Sequence, residues 1–350
     1  MRSEKWEVGS AGGEPETAGS AASSSSSIIL RVRNYDLAAT LDSGQVFRWQ
    51  PERGRLARES QLLPHAGGLP ALQDSWVGVV GKHWVRLTQT DDGIRAETAM
   101  PVKNWDWLRE FLQTGVDWDA VLESFPDDAP MRAAVEACHG LRVLRQDPWE
   151  CLASFILSST KQIVQIRQII ALLCERFGEP IVPGAPASLP AESAFCAETR
   201  RQDAGAPGKS RRLGWTFPSP EKIAGLTETQ LRACKMGFRA PHLLAAARQI
   251  ADGTFDLNRP RHLPLAEARA ELIKLRGVGG KIADCVLLFA YGFDGAFPVD
   301  VWVERALRCL YFPRRQVTAK RLHYFVATHF GPHAGHAQQY LFHYMRTKME

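Results

Sequence analysis

The sequence predicts an α+β protein in which an N-terminal antiparallel β-sheet domain precedes a mostly α-helical domain. Residues 28–115 contain short β-branched and aromatic runs separated by turn residues, as in Trp84-Val85-Arg86-Leu87-Thr88. Beyond Asn104, apolar residues recur at the three- and four-residue spacing of a helix. The 350 residues are 45% hydrophobic and 23% charged, an ordinary globular composition with enough length for about two domains. We therefore expect the sheet domain over 28–115 and the helical domain over 116–350.

Two segments lack a folding pattern. Residues 1–27 are rich in Gly, Ala, Ser and Glu and end in five serines. Such a segment buries too little apolar surface to offset its ordering entropy, so we expect a disordered tail. Residues 183–220 carry six prolines and no periodicity, which indicates a mobile insertion within the helical domain.

Turn residues set the expected strands. Gly81-Lys82 predicts a tight turn between two β-prone runs, and Gly93 separates the second run from a third. Val46-Phe47-Arg48-Trp49 is a further short β-prone run, and residues 51–74, which are rich in Gly, Pro and Arg, are expected to form a surface excursion between strands.

Capping signals set the expected helices. Asp147-Pro148-Trp149-Glu150 combines an N-cap, Pro at the first helical position and Glu three residues past the cap. Ser158-Ser159-Thr160 is expected to break this helix and cap the next one, which Gly178 ends. Thr227 with Gln230 is expected to open another helix, ending at Gly237.

Charge and cysteine content limit the possible partners. The formal charge of +5 and the pI near 8.8 permit a polyanionic partner without requiring one. The seven cysteines are widely spaced and form no C-x-x-C, which disfavours a zinc or iron–sulfur site. There is no export signal or disulfide framework, which favours a reducing compartment, and no apolar run is long enough to span a bilayer.

The strongest chemical signal is a pair of helices joined by a glycine-rich turn. Leu265 to Ile273 reads as one helix and Ile282 to Ala290 as another, with Gly277-Val278-Gly279-Gly280-Lys281 between them. Glycines allow positive φ, and bare N–H groups at the second helix let a phosphate approach. The segment is consistent with sequence-independent duplex DNA binding or with an ordinary helical hairpin.

Other segments decide between these interpretations. Pro298-Val299-Asp300 places a carboxylate 19 residues after Lys281. Four further segments are Asp42-Ser43-Gly44-Gln45-Val46-Phe47-Arg48-Trp49, Leu144-Arg145-Gln146-Asp147-Pro148-Trp149-Glu150-Cys151-Leu152, Gly237-Phe238-Arg239-Ala240 and Gly331-Pro332-His333-Ala334-Gly335-His336-Ala337-Gln338. Together they resemble the 8-oxoguanine DNA glycosylase/AP lyases of the eukaryotic-type branch of the helix-hairpin-helix DNA glycosylase superfamily. The resemblance spans residues 28–345 and implies that the helical part is a helix-hairpin-helix glycosylase domain.

The resemblance implies two catalytic residues. Lys281 would attack C1′ of the deoxyribose and remain as a Schiff base, from which β-elimination cleaves the strand. Lys281 must lose its proton to attack, and both the positive helix end and partial burial disfavour its cation. Asp300 would stabilise positive charge on the sugar.

The resemblance also implies a pocket for a base that has left the helix stack. Phe342 and Cys285 would enclose the base, and Gln338 would read its Watson–Crick edge. The Gly44 carbonyl would accept from N7–H, which 8-oxoguanine has and guanine lacks. Taken singly, Phe342 and Cys285 also fit a plain apolar core, and Gln338 fits a surface amide.

Further residues are implied at the DNA. Phe238 would enter the gap left by the base and Arg239 would contact the orphaned base. The resemblance to the family is weaker at three positions: Thr160 replaces Asn, Gln165 replaces Arg and Trp302 replaces His. The first two changes remove donors aimed at cytosine, so a strict preference for cytosine opposite the lesion does not follow. The hairpin residues implied are Gly277 and Gly279 for phosphate, and the carbonyls of Ile273, Leu275 and Val278 for a structural cation.

We therefore expect a monomer that acts on double-stranded DNA containing 8-oxoguanine, needs no cofactor and has no membrane contact. The bacterial cytoplasm, at the nucleoid, is favoured over a nucleus because no basic targeting tail follows Lys348. One alternative is a related glycosylase for oxidised pyrimidines or mispaired adenine, against which the absence of a C-terminal cysteine cluster argues. Another is a non-catalytic DNA-binding protein, against which the retention of Lys281 and Asp300 argues.

Overall fold

The computed structural model describes residues 26–52, 75–182 and 213–349. The predicted tail therefore lies outside the described residues except for Ser26 and Ser27, which belong to the first strand. The strands are β1 Ser26–Arg31, β2 Gln50–Glu52, β3 Ser75–Val80, β4 His83–Thr90, β5 Gly93–Thr98, β6 Pro180–Ile181 and β7 Gly214–Trp215. The helices are α1 Leu37–Asp42, α2 Asp106–Leu112, α3 Trp118–Glu123, α4 Ala129–Ala137, α5 Pro148–Ser158, α6 Ile163–Phe177, α7 Pro220–Ala224, α8 Glu228–Arg232, α9 Ala240–Ala251, α10 Leu265–Ile273, α11 Gly280–Val286, α12 Val301–Tyr311, α13 Ala319–His329 and α14 Ala334–Met349.

The N-terminal domain is a five-stranded antiparallel sheet in the order β1-β5-β4-β3-β2, which confirms the α+β prediction. Val80 pairs with His83 across a two-residue turn, as Gly81-Lys82 predicts. Trp49, Leu87 and Ile94 are fully buried in the core of this sheet.

The prediction of a strand at Val46–Trp49 is wrong. These residues form an irregular segment between two cores: Val46 and Trp49 pack under the sheet, whereas Phe47 packs in the helical core, 5.7 Å from the Phe155 ring centre. A side chain in each core leaves no edge for a partner strand. The segment thus contributes side chains to the cores of both domains.

The predicted insertion at 183–220 is too long at its C-terminal end. Residues 183–212 lie outside the described chain, but Gly214–Trp215 pair with Pro180–Ile181 and helix α7 begins at Pro220. Trp215 and Phe217 pack against the helical core, which fixes this stretch despite its lack of periodicity.

Most predicted helix ends are confirmed. The Asp147 side chain accepts from the Glu150 N–H at the start of α5, and Gly178 ends α6. Two details differ: the N-cap of α6 is Gln162 rather than residues 158–160, and α8 ends at Arg232 rather than near Gly237. No helix within the described ranges is long and apolar enough to cross a membrane.

The helical hairpin consists of α10 and α11, as predicted. Helix α11 continues into a π turn at Leu287–Tyr291 and ends at Gly292, which has φ +77°. The last carbonyls of a helix have no partner within it, and two of them are bonded to another part of the chain here. Leu288 accepts from the Arg145 guanidinium at 3.1 Å and Phe289 from the Gln146 N–H at 2.7 Å. The catalytic helix is thereby bonded to the segment that leads into α5.

Candidate active site

Lys281 is the second residue of α11, directly after the glycines of the hairpin turn. Its side chain is half-buried, and Nζ lies 5.1 Å from the centre of the Phe155 ring. With Val299 and His323, Lys281 lines a cavity of about 590 Å³. The amine is thus held at the wall of an opening large enough to admit a nucleotide.

Asp300 is the N-cap of α12. Its Oδ1 accepts from the N–H groups of Trp302 at 3.0 Å and Val303 at 2.8 Å. Two backbone donors hold one oxygen, which fixes the direction of the whole carboxylate. Capping gives Asp300 an ordinary structural role at the start of α12. This role is compatible with a second, electrostatic role for the same carboxylate.

Lys281 lies one turn before Cys285 on α11, and the charges of Lys281 and Asp300 both influence the Cys285 thiol. Burial raises the pKa of the Cys285 thiol to about 11; the nearby Lys281 charge opposes this rise and the Asp300 charge adds to it. The pairing of this amine and this carboxylate at the sugar stays a prediction. The thiol stays protonated at neutral pH, so its face is apolar.

Two of the four predicted base-binding residues, Gly44 and Phe342, are in contact. Gly44 has φ +77°, and a Cβ at this position would lie 3.1 Å from Ile163 Cδ1 and 3.3 Å from Phe342 Cε1. Gln338 is buried, and its Oε1 has no hydrogen-bond partner among the described residues. The alternative of a surface amide for Gln338 is therefore wrong. A buried acceptor without a partner is costly unless a ligand supplies the donor.

Four residues hold the backbone next to Gly44, and the sequence analysis assigned none of them a role. The Asp42 carboxylate is ion-paired with Arg167 at 2.7 Å and Arg346 at 3.2 Å. The Gln339 amide donates to the Ser43 carbonyl at 2.9 Å. The sequence holds one pattern that could have indicated these residues, which is recognisable only with the structure in hand. Gln339, Phe342 and Arg346 are spaced as one face of a helix.

Among the residues implied at the DNA, Arg239 contacts both Phe238 and Thr160. Phe238 is 55% exposed, as an intercalating side chain must be. Arg239 is buried, contrary to expectation for a base contact: its guanidinium lies 4.3 Å from the Phe238 ring centre and donates to Thr160 Oγ1 at 2.6 Å. Thr160 is exposed, and Gln165 serves in the capping box of α6.

The hairpin glycines have different surroundings. A Cβ on Gly277, where φ is +86°, would lie 2.6 Å from the His242 side chain. A Cβ on Gly279 or Gly280 would meet nothing within 4 Å. Gly277 is thus required by packing, whereas the backbone at Gly279 is open to a phosphate.

The three carbonyls implied in cation binding lie at the end of α10 and in the hairpin turn. The Leu275 carbonyl already accepts from the Val278 N–H at 3.1 Å, and a carbonyl has a second lone pair. Ile273 is 44% exposed, so its side of the turn is accessible. Cation binding here stays a prediction.

Helix α14 packs closely on the loop that leads to Asp300. The Gly335 N–H donates to the Asp294 carbonyl at 2.7 Å, and a Cβ on Gly335 would lie 2.3 Å from the Ala296 carbonyl oxygen. His336 follows in a buried site against Trp118, with ring centres 5.2 Å apart. This packing joins the helix that carries Gln338 to the loop that leads to Asp300.

Three features of this site define the class of helix-hairpin-helix DNA glycosylases. They are a lysine that follows the glycines of a helix-hairpin-helix, a helix-capping aspartate beyond it, and a buried amide. Residues 27–152 match the N-terminal domain of 8-oxoguanine DNA glycosylase, and residues 153–327 match the HhH-GPD superfamily of base excision DNA repair proteins. The chain belongs to this superfamily of base excision DNA repair proteins.

Individual relatives agree with this assignment. The chain is 28% identical over 342 residues to the probable N-glycosylase/DNA lyase of Methanothermobacter thermautotrophicus, covering 91% of this chain and 95% of that protein. It is 29% identical to the N-glycosylase/DNA lyase of Saccharomyces cerevisiae, covering 82% and 70%. The Clostridium acetobutylicum 8-oxoguanine glycosylase/lyase, solved with double-stranded DNA containing cytosine opposite 8-oxoG, superposes with a TM-score of 0.72 at 26% identity, covering 92% of this chain and 99% of that one.

Proposed function

We propose that the protein excises 8-oxoguanine from double-stranded DNA and then cleaves the strand at the resulting abasic site. The observation that carries this proposal is the position of Lys281 behind the hairpin glycines, at the wall of a cavity that is also lined by Val299, the residue before Asp300, in a chain that also brings Gly44 against Phe342. A DNA-binding protein without catalysis has no need of this arrangement. A lysine nucleophile also accounts for both the excision and the lyase step.

Lys281 attacks C1′ of the extruded nucleotide as a neutral amine. The bond between C1′ and the base nitrogen breaks, and the base leaves with the electron pair. Asp300 faces the positive charge that develops on the sugar, with its orientation fixed by the N–H groups of α12. The resulting Schiff base acidifies the C2′ proton, and its loss expels the 3′ phosphate.

Base selection rests on Gly44 and Gln338. The Gly44 carbonyl accepts from N7–H of 8-oxoguanine and faces a lone pair on N7 of guanine. The buried Gln338 Oε1 then gains the donor that it lacks in the free protein. Phe342 and the protonated Cys285 supply apolar contact with the two faces of the base.

The distribution of charge favours DNA on the face that carries Lys281. From Arg305 to Met349 the sequence has no Asp or Glu, although it has eight Lys and Arg residues. Arg314, Arg315, Lys320 and Arg321 are all exposed. Helix α13, which begins at Ala319 and includes Lys320 and Arg321, also lines the Lys281 cavity through His323 and Ala327. The backbone of a duplex held at the hairpin therefore continues along the start of α13.

Borohydride trapping tests the proposal directly. An 8-oxoguanine duplex should give a covalent adduct with the native protein and none with Lys281→Gln, because only the lysine forms a reducible Schiff base. Lys274→Gln is the matched control, since Lys274 lies on the same hairpin, exposed and ion-paired with Glu271. Absence of an adduct with the native protein, or its persistence in Lys281→Gln, would refute the proposal.

Two finer points belong to the same proposal. With Arg239 bonded to Thr160 and Gln165 in a helix cap, few free donors face the opposite strand, so excision proceeds opposite bases other than cytosine as well. The protein acts where the DNA is, and we propose that this place is the bacterial nucleoid. We also propose that the protein acts as a monomer. Excision rates opposite C, A, G and T test the first point.

A further inference from the structure

The segment Asp42–Gly44 is held between two helices, and only one of its contacts, that of Gly44 with Phe342, belongs to the base pocket described above. Helix α6 presents Ile163 and Arg167, four residues apart, and helix α14 presents Gln339, Phe342 and Arg346 at helical spacing. Ile163 and Phe342 pack against the Gly44 α-carbon. Arg167, Gln339 and Arg346 bind the two residues before it, Asp42 and Ser43. Helix α6 therefore supplies one apolar and one polar contact, and helix α14 supplies one apolar and two polar contacts.

The polar contacts fix the backbone ahead of Gly44. Arg346 donates to the Asp42 carbonyl at 2.6 Å and to the Asp42 carboxylate at 3.2 Å, and Arg167 reaches the same carboxylate at 2.7 Å. Gln339 donates to the Ser43 carbonyl at 2.9 Å. Gln339 is 2% exposed and Ser43 fully buried, so water does not compete for this bond.

The backbone after Gly44 is fixed as well. The buried Gln45 side chain donates to the Thr40 and Arg142 carbonyls at 3.0 and 2.8 Å and accepts from the Leu144 N–H at 2.8 Å. Its own carbonyl accepts from Gln146 at 2.8 Å. Among the described residues the Gly44 carbonyl itself receives none of these hydrogen bonds.

A glycine at positive φ without such restraints is prone to rotation of its peptide plane, because glycine populates both signs of φ. Rotation of the Gly44–Gln45 peptide would replace the carbonyl by the Gln45 N–H. An N–H at that point is a donor, which suits the N7 lone pair of guanine and opposes N7–H of 8-oxoguanine. The orientation of the Gly44–Gln45 peptide thus decides whether the site favours 8-oxoguanine or guanine.

We propose that Gln339, together with the Asp42–Arg167–Arg346 ion pairs, positions the Gly44 peptide and so determines discrimination between 8-oxoguanine and guanine. These are positioning residues, since none of them touches the base. The inference rests on the proposed function, because it concerns which base that site accepts. It makes selection dependent on contacts contributed by three separate parts of the chain.

The test compares Gln339→Leu, Gln339→Glu and Asp42→Asn with the native protein on three duplexes, which contain 8-oxoguanine, guanine or a preformed abasic site. Gln339→Leu and Gln339→Glu both remove the donor to Ser43, and Glu keeps the size of the side chain. We expect the ratio of kcat/KM for 8-oxoguanine over guanine to fall about tenfold or more, as small displacements in a site do. Strand cleavage at the abasic site should stay within about twofold, since it needs no base recognition.

Tyr340→Phe is the matched control. Tyr340 is fully buried on the same helix, and the substitution removes its hydrogen bonds to Trp118 and the Leu141 carbonyl, but it does not touch residues 42–45. An unchanged ratio in Gln339→Leu and Asp42→Asn would overturn the inference, as would a ratio that falls equally in Tyr340→Phe. A parallel fall in abasic-site cleavage would also overturn it, because the residues would then support the fold alone. Failure of the proposed function is recognised separately, by the absence of excision and trapping in the native protein.

Discussion

The Asp300 carboxylate accepts from the Val303 N–H at 2.8 Å, with the same oxygen that also binds the Trp302 N–H. One carboxylate thus starts helix α12, and its charge also acts on the Cys285 thiol, one turn from Lys281. Because Asn caps a helix about as well as Asp, the structural and the electrostatic roles can be separated by a single substitution.

Asp300→Asn should fold with a melting temperature within a few degrees of the native value, since the cap is kept. Excision should fall at least about a hundredfold, because the charge that stabilises the sugar cation is removed. Thermal unfolding and single-turnover excision measure the two effects. A large loss of stability with little loss of rate would show that Asp300 is a cap and nothing more.

Gly44→Ala should lower the free energy of unfolding by about 1–2 kcal/mol, the usual cost of a side chain in the left-handed region. It should also slow excision of 8-oxoguanine, since the new methyl group presses on Ile163 and Phe342. Gly253→Ala provides the control, because Gly253 has the same φ of +77° with nothing within 4 Å of a Cβ. Equal stability losses with slowed excision only in Gly44→Ala are expected from denaturant titration and kinetics. Slowed excision in both would contradict a local role for Gly44.

His336 gives a pH dependence of stability. Burial, followed by the nearby His333 and Arg145, lowers its pKa to about 3, below the ordinary value of 6.5. A depressed folded pKa contributes stability above pH 6.5 that is lost as the pH falls towards 3, because only the unfolded chain binds the proton. Between pH 7.5 and 5.5 this loss is about 1.4 kcal/mol.

His336→Phe keeps a ring against Trp118 and removes the proton site. The fall in unfolding free energy between pH 7.5 and 5.5 should therefore be smaller in this variant than in the native protein by about 1 kcal/mol. Urea titrations at the two pH values provide the measurement. An identical fall in both proteins would mean that His336 is accessible to protons in the fold.

The basic stretch before α13 predicts a salt effect. Arg314→Ser with Arg315→Ser should make the slope of log K against log salt less negative by about 0.9 for each phosphate that these arginines neutralise. Affinity for damaged and undamaged duplexes should fall by the same factor, because phosphate contacts carry no sequence information. Lys82→Ser with Arg95→Ser removes equal charge from exposed positions of the sheet domain. A slope change of the same size in this control would point to net charge rather than to direct phosphate binding.

Local signals in the sequence predict much of this fold. The Asp147 cap, the Gly81-Lys82 turn and the α10–α11 hairpin each depend on residues a few positions apart, and each is confirmed. The strand expected at Val46–Trp49 fails for a non-local reason, since its side chains pack into two different cores.

The same division holds in the site. Lys281 and Cys285 lie one turn apart, so helix periodicity alone places them on one face. The Asp42–Arg346 pair joins residues about 300 positions apart in a single sequence, and no local pattern reports such a pair. The burial of Arg239 under Thr160 has the same character, because Arg is ordinarily exposed.

The π turn that follows α11 sets a limit on how small a working fragment can be. Its carbonyls at Leu288 and Phe289 are satisfied by Arg145 and Gln146, from a stretch some 140 residues earlier. A hairpin transplanted alone into another scaffold would bring the nucleophile without these donors and would leave both carbonyls without their protein partners. The lysine is therefore inseparable from the rest of the molecule, and engineering of its chemistry must retain the segment ahead of α5.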